Sequence, residues 1–136
     1  MKAVDTNVLA RFFVNDPEDA QAAKQRPAAV AAMAKPVFVP STVLLEFEWV
    51  LRGFYAFKPR EVARVLRALA GIEHVTLENR AQALQALDAL EHAGLDFADA
   101  MHLAHSSHCQ GLLTFDKDLG KRATRLSLMP VVEVLK

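Results

Sequence analysis

The sequence predicts an α/β fold in which a parallel sheet of about five strands is covered by helices on both faces. Short apolar runs alternate with longer segments of helical periodicity along the whole chain. This alternation favours parallel pairing, because each helix carries the chain back across the sheet to the start of the next strand. With 136 residues the chain has the usual length of one domain. We therefore expect residues 1–136 to form a single domain.

Local signals justify each element of the first half. Lys2-Ala3-Val4 is a short apolar strand, and the spacing of the apolar residues after it indicates a helix. Pro17 suits the first position of the second helix, and Ser41 or Thr42 is the expected N-cap of the third. The predicted elements are strand 2–4, a helix through 8–13, helix 18–33 with Pro27 inside it, strand 36–40, a helix from 41 or 42 to about 57, helix 58–71 and strand 73–77.

The second half is predicted in the same way. An amphipathic segment rich in Ala and Leu ends at Gly94, and Asp96 is the expected N-cap of the next helix. Residues 116–119 are predicted to form a capped turn. The predicted elements are helix 79–92, a helix from Asp96 to about 108, strand 111–115 and strand 130–135.

Composition and charge exclude several classes of protein. Sixteen basic and sixteen acidic residues cancel, so a nucleic-acid ligand would need a local basic patch. The single Cys109 excludes an internal disulfide and a cysteine metal cage, which suits a reducing compartment. No apolar run has the roughly 18 residues of a membrane span, and the start of the chain shows no signal-peptide pattern. We expect a cytoplasmic protein that does not use a membrane.

Four acidic residues lie where open α/β sheets bind ligands. Asp5 and Asp116 each follow a predicted strand, and Glu46 and Asp99 lie on helices that follow or precede one. The C-terminal ends of parallel strands meet at one edge of a sheet, which is where such folds collect ligands. Carboxylates that converge there repel one another unless a cation lies between them. The sequence therefore predicts a divalent metal site.

A structural explanation exists for each of these acids. Asp5, Asp96 and Asp116 are all suited to capping the helix or turn that follows. Asp96 fits the N-cap, which favours a structural role, whereas Asp99 in the first turn is expected to point toward the sheet edge and to be functional. Glu46 lies among apolar residues inside a helix, so it needs either solvent or a polar partner.

The order and spacing of these motifs resemble those of the PIN-domain ribonucleases, and among them the VapC-type toxins of toxin–antitoxin modules. The similarity covers essentially the whole chain. It rests on Val4-Asp5-Thr6-Asn7-Val8-Leu9, on the segment from Val43 to Arg52 around Glu46, on Asp96-Phe97-Ala98-Asp99 with the helix after it, and on Leu113-Thr114-Phe115-Asp116.

The resemblance implies a PIN-like three-layer α/β/α fold and a metal-dependent endoribonuclease, the toxin of a type II toxin–antitoxin system. Its metal-binding and catalytic acids would be Asp5, Glu46, Asp99 and Asp116, with Mg²⁺ or Mn²⁺ as the ion. Glu48 lies on a different helix face from Glu46, and the Leu-Glu register favours Glu46. Implied partners are an RNA substrate, a VapB-type antitoxin and a second copy in a homodimer. Thr6, Asn7 and Thr114 occupy positions where the family uses supporting polar groups.

Cations and histidines near the acids supply further candidates. Arg11, Lys117, Lys121 and Arg122 are candidate RNA contacts, with Arg125 beside them; a solvated charged face is the simpler explanation for any one of them. His102, His105 and His108 recur every third residue, which suggests zinc. Three-residue steps drift around a helix of 3.6 residues per turn, so the three do not share one face well. Surface histidines are the favoured interpretation.

Three other functions compete with the ribonuclease. A haloacid-dehalogenase-like phosphatase also begins with Asp after a short strand, but it needs a second Asp where this chain has Asn7. A catalytically inert PIN-like module that only binds RNA or protein would be favoured by the loss of an acid, and all four are present. A receiver-like signalling domain needs an adjacent acidic pair after the first strand, where only Asp5 is found.

Overall fold

The computed structural model describes residues 1–136 and consists of two compact units, Met1–Arg80 and Ala81–Lys136. Seven α-helices and five strands alternate along the chain, as predicted. Every strand pairing is parallel. The predicted α/β class with parallel strands is therefore confirmed, while a single domain over residues 1–136 stays a prediction. No helix combines the length and the apolar character that crossing a bilayer requires.

The first unit is built on a three-stranded parallel sheet with β2 at its centre. Lys2 pairs with Val37 on one side of β2, and Val37 pairs with Val75 on the other. Val37 and Val39 are buried, as expected for a strand that is covered by helices. The elements are β1 Lys2–Ala3, α1 Thr6–Phe13, α2 Ala20–Met33, β2 Val37–Val39, α3 Ser41–Trp49, a π-helical segment Val50–Phe54, α4 Pro59–Ala70 and β3 Val75–Leu77.

Two helices start at residues other than predicted, because each has a different N-cap residue from the one expected. Helix α2 begins at Ala20 rather than near Pro17, because the Asp19 carboxylate accepts a hydrogen bond from Ala22 N at 3.1 Å and acts as the N-cap. Helix α3 has Pro40 as its N-cap residue rather than Ser41 or Thr42. There the Glu78 side chain, which is distant in sequence, accepts from Ser41 N at 2.8 Å and satisfies one free amide of the first turn.

The third helix ends differently from the prediction. It becomes a π-helical segment at Val50 and stops at Phe54, three residues before the expected end at Phe57. π-helical segments are rare and occur often beside functional residues. Glu48, two residues before this segment, is buried and accepts a hydrogen bond from Arg52 within it. The widened turn therefore begins directly after the part of α3 that carries Glu46.

The second unit contains a two-stranded parallel ladder and three helices. Leu112 pairs with Val132 and Thr114 with Val134. The five predicted strands are thus present, divided into a three-stranded and a two-stranded sheet. The elements are α5 Arg80–Ala93, α6 Phe97–His105, β4 Leu112–Thr114, α7 Lys117–Arg125 and β5 Val132–Val134. Residues 116–119, predicted as a capped turn, are the start of α7, and α6 ends at His105 instead of near His108.

A glycine lets α7 pack closely on β5. A Cβ atom placed on Gly120 would lie 2.4 Å from Val134 Cγ2, well inside van der Waals contact. Gly120 itself is buried in the middle of α7. Glycine costs a helix interior about 1 kcal/mol relative to alanine, and the close approach of the helix to the strand explains why it is present.

Gly120→Ala should lower the free energy of unfolding by about 1–2 kcal/mol, because the clash with Val134 outweighs the gain in helix propensity. Chemical denaturation of the full chain measures this. In a Val134→Ala background the added methyl has space, so Gly120→Ala should there be neutral or stabilising. An equal loss of stability in both backgrounds would show that the packing of α7 on β5 does not require the glycine.

Candidate active site

In the first unit, Asp5 and Thr6 at the start of α1 each form a hydrogen bond that involves a carboxylate. Asp5 is the N-cap of α1, and its Oδ1 accepts a hydrogen bond from Val8 N at 3.3 Å. Thr6, the next residue, is buried, and its hydroxyl donates to Glu46 Oε1 on α3. Asp5 and Glu46 are both exposed, and Asn7 is exposed in the first turn of α1. The structure thus joins Thr6 to Glu46, while the supporting role of Thr6 stays a prediction.

The neighbouring carboxylate Glu48 has a different environment. It is 2% exposed, and its two oxygens accept from Arg52 Nε at 2.9 Å and Nη2 at 3.3 Å. This two-point pairing compensates the cost of burying the charge and occupies both oxygens. Glu46, on the exposed face, keeps an oxygen available. Glu46 as the site residue stays a prediction.

In the second unit the start of α6 carries two acids. Asp96 is the N-cap, and its Oδ1 accepts from Asp99 N at 3.1 Å. The structural role predicted for Asp96 is confirmed by this bond. Asp99 lies in the first turn and is half-buried. Its own carboxylate accepts none of the hydrogen bonds formed in the structure.

Asp116 starts α7 in the same manner. It follows β4, and its Oδ1 accepts from Leu119 N at 3.0 Å. Its backbone N donates to Thr114 Oγ1 at 3.0 Å, so Thr114 fixes the turn that leads from the strand into the helix. The supporting role of Thr114 in a metal site stays a prediction. The exposed Asp116 keeps its Oδ2 free of protein partners.

The electrostatics of Asp99 show that these acids influence one another. Burial raises the pKa of Asp99 first, and the negative charges of Asp96 and Asp116 raise it further, while His102 acts in the opposite direction. Like charges close together disfavour the ionised form. None of Asp5, Glu46, Asp99 and Asp116 forms an ion pair with Lys or Arg within the chain. An external cation would relieve the repulsion.

Most of the chain matches a known protein family. The sequence matches the PIN domain family over residues 2–124, which is most of the chain. The chain belongs to the PIN domain family. PIN domains are generally nucleases, and they typically use divalent metals. No curated protein matches the chain significantly.

The PIN domain also presents a second group of possible metal ligands, which the sequence analysis did not single out. Asp88, Glu91 and His92 lie on one exposed face of α5, and their ligand atoms are within 4.8 Å of one another. Glu91 and His92 are already 3.3 Å apart. Spacings of three and four residues on a helix could have revealed the group.

The candidate RNA contacts fall into two sets in the structure. Arg11 Nε donates to Gln25 at 2.9 Å and its Nη1 to Tyr55 at 3.2 Å, while Arg122 bonds Asp118 and the Gly94 carbonyl. Lys117 and Lys121 are exposed and have no protein partner. The first set has an evident structural role, and the second set is free to meet a ligand.

The three histidines do not form a ligand group. His102 and His105 lie in the last two turns of α6, and His108 lies beyond its end. His102 and His108 are exposed, whereas His105 is half-buried and its Nε2 has no hydrogen-bond partner. His102 acts on the charge of Asp99, as its position one turn away allows.

Asp96→Ala should destabilise the PIN domain by about 1 kcal/mol, because Asp99 N loses its cap. Asp96→Asn should cost much less, since asparagine caps a helix about as well as aspartate. Both variants remove one negative charge, so both should lower the pKa of Asp99, which NMR titration of its carboxyl group can follow. Equal stability losses in the two variants would contradict the capping role.

Asp99→Asn should stabilise the metal-free protein at neutral pH. The folded state raises the pKa of Asp99, so ionised Asp99 opposes folding at a pH above that raised value. As the pH falls through the raised pKa, the native carboxyl takes up its proton and the advantage of asparagine disappears. Thermal unfolding in chelator across this range measures the difference. An advantage that grows on acidification would have the wrong sign for this explanation.

Proposed function

We propose that this PIN domain is a metal-dependent endoribonuclease that hydrolyses RNA phosphodiester bonds with Asp5, Glu46, Asp99 and Asp116 as its metal-binding acids. Family membership supports a nuclease. The single observation that carries the proposal further is the state of the acids. Asp5, Glu46 and Asp116 each keep one carboxylate oxygen free of protein donors, and the carboxylate of Asp99 accepts no hydrogen bond. In contrast, both oxygens of the nearby Glu48 accept hydrogen bonds from Arg52.

The donor set fits a hard divalent cation. All four residues offer carboxylate oxygens, which Mg²⁺ and Mn²⁺ prefer, and no thiol or imidazole belongs to the set. Mg²⁺ keeps several of its waters in sites of this kind, so two or three carboxylates suffice to hold one ion. A bound ion would supply Lewis-acid activation of water and neutralise charge on the scissile phosphate.

The chain's own residues orient the acids. The hydrogen bond from Thr6 holds one oxygen of Glu46, and the cap bonds of Asp5 and Asp116 hold one oxygen of each. Residues that hydrogen-bond to a metal ligand in this way fix its direction and are needed for full activity. Thr114 sets the turn that places Asp116. Asn7, exposed beside Thr6, is proposed to orient water or substrate.

We further propose that the nuclease is the toxin of a type II toxin–antitoxin module, bound by a VapB-type antitoxin and active as a homodimer in the cytoplasm. The support is the resemblance of the motif segments to VapC-type toxins. Exposed aromatic side chains also suit a protein partner: Trp49 is 57% exposed and Phe54 69% exposed. Positively charged antitoxin side chains would offset the unpaired carboxylates.

Asp5→Asn and Asp99→Asn should each abolish RNA cleavage without unfolding the protein. The test uses purified protein free of antitoxin, pools of structured cellular RNA, and either Mg²⁺, Mn²⁺ or chelator. Wild-type protein should give discrete products only with metal. Each substitution removes one negative ligand, and the loss should exceed about a hundredfold, the upper end of what losing a supporting group costs.

Asp88→Asn is the matched control, because it makes the same change in the exposed group on α5. It should retain cleavage. A fully active Asp5→Asn protein would contradict the assignment of the metal ligands. Folded wild-type protein that cuts no RNA pool under any condition would contradict the nuclease and favour an inert module that binds RNA or protein.

A further inference from the structure

A cleft between α7 and β5 is lined by three exposed cations of α7. Its volume is about 540 Å³, and it is lined by Lys117, Gly120, Lys121, Thr124, Arg125, Val132 and Val134. The three cations are spaced four residues apart, so they form one stripe along α7 with about 6 Å between neighbours along the axis. All three are exposed and none has a protein partner.

The rest of α7 shows that this arrangement is selective. Arg122 lies on the same helix but outside the cleft, and it is fully used by Asp118 at 3.1 Å and by the Gly94 carbonyl at 3.0 Å. The acids of the helix, Asp116 and Asp118, do not line the cleft. The cleft is therefore open and mostly apolar, and it is lined by three cations and no carboxylate.

We infer that the cleft between α7 and β5 binds the phosphodiester backbone of single-stranded RNA and leads the strand to Asp116. A row of evenly spaced cations suits a ligand with a row of negative charges, and a groove of this kind follows a nucleic-acid backbone. Val132 and Val134 give an apolar wall for sugar or base. This inference rests on the proposed ribonuclease, because the substrate of that enzyme is the polyanion that has to pass Asp116.

The position of the stripe favours RNA over an acidic peptide. Lys117 follows Asp116 directly in the chain, so the cation row begins at a proposed metal ligand. An RNA strand that occupies the row can therefore present its next phosphodiester bond to the proposed metal ligands, whereas an acidic peptide offers no phosphodiester bond to that site. Exposed Phe115, on the other side of Asp116, is 73% exposed and offers a surface on which a base can stack.

Binding is measured separately from cleavage. The probe is a fluorescein-labelled single-stranded oligoadenylate of about ten nucleotides, and its anisotropy is followed in chelator with the full chain carrying Asp99→Asn. The triple substitution Lys117→Gln, Lys121→Gln and Arg125→Gln should weaken binding about tenfold or more and reduce the dependence of log K on log salt by about 2, because three phosphate contacts are lost.

Two further variants keep the test decisive. Lys24→Gln, Arg60→Gln and Arg64→Gln together remove three exposed cations elsewhere and should change the affinity less than about twofold. Thr124→Glu alone places a carboxylate among the cations at an exposed helix position, and it should also weaken binding about tenfold. Circular dichroism checks that each variant is folded.

The outcomes distinguish a failure of the RNA-binding cleft from a failure of the proposed nuclease. Equal losses in the cleft triple and the control triple, or binding unaffected by Thr124→Glu, would overturn the cleft while leaving metal-dependent cleavage intact. Loss of binding specific to the cleft, together with no cleavage in metal by the protein with Asp99 restored, would keep the cleft and overturn the nuclease. A polyglutamate peptide that competes as well as oligoadenylate would overturn RNA as the occupant.

Discussion

Repulsion between carboxylates at the starts of α6 and α7 is the constraint on which the second unit depends. Asp96, Asp99 and Asp116 lie close enough for the first and the third to raise the pKa of the second, and Asp99 is also half-buried. Asp96 and Asp116 each cap a helix, but the ionised carboxylate of Asp99 has no protein partner and opposes folding. The chain supplies cations nearby but directs them elsewhere. Arg122 bonds Asp118 and Gly94, and three others face the cleft beside β5.

Helix capping and metal binding are compatible at the same residue. For Asp5 and Asp116 the sequence is consistent with either role, and the structure shows both residues as N-caps. Each cap bond uses Oδ1 alone. It fixes the direction of the carboxylate and leaves Oδ2 for another ligand, so the cap provides the preorganisation that a metal ligand needs. Glu46 reaches the same state by a different route, through the hydroxyl of Thr6.

Local signals predicted most of the fold. Alternation of apolar runs and periodic segments was enough for five parallel strands, and the start of α6 was identified from Asp96. The failures share a cause. Glu78, far along the chain, satisfies the amide of Ser41, so no local cap was needed at α3. Helix α7 was not predicted because Gly120 lowers the helix propensity of this segment. The glycine is explained by the close approach of α7 to Val134.

The sequence alone was enough to name candidate site residues, but it could not show their contacts. The positions of Asp5, Glu46, Asp99 and Asp116 came from strand ends and from family resemblance, and the match to the PIN domain family confirms the family alone. The bond between Thr6 and Glu46 spans 40 residues, so no local pattern could show it. The choice between Glu46 and Glu48 depends on burial and on Arg52. The free and occupied cations of α7 likewise differ only in their tertiary contacts.

Isothermal titration calorimetry of the metal-free protein with Mn²⁺ tests the central claim most directly. Wild-type protein and Asp88→Asn should bind the ion equally, and Asp99→Asn should lose the binding, because Asp99 belongs to the unpaired acids whose repulsion the ion relieves. Binding that survives in Asp99→Asn but disappears in Asp88→Asn would place the ion on α5 and contradict the account.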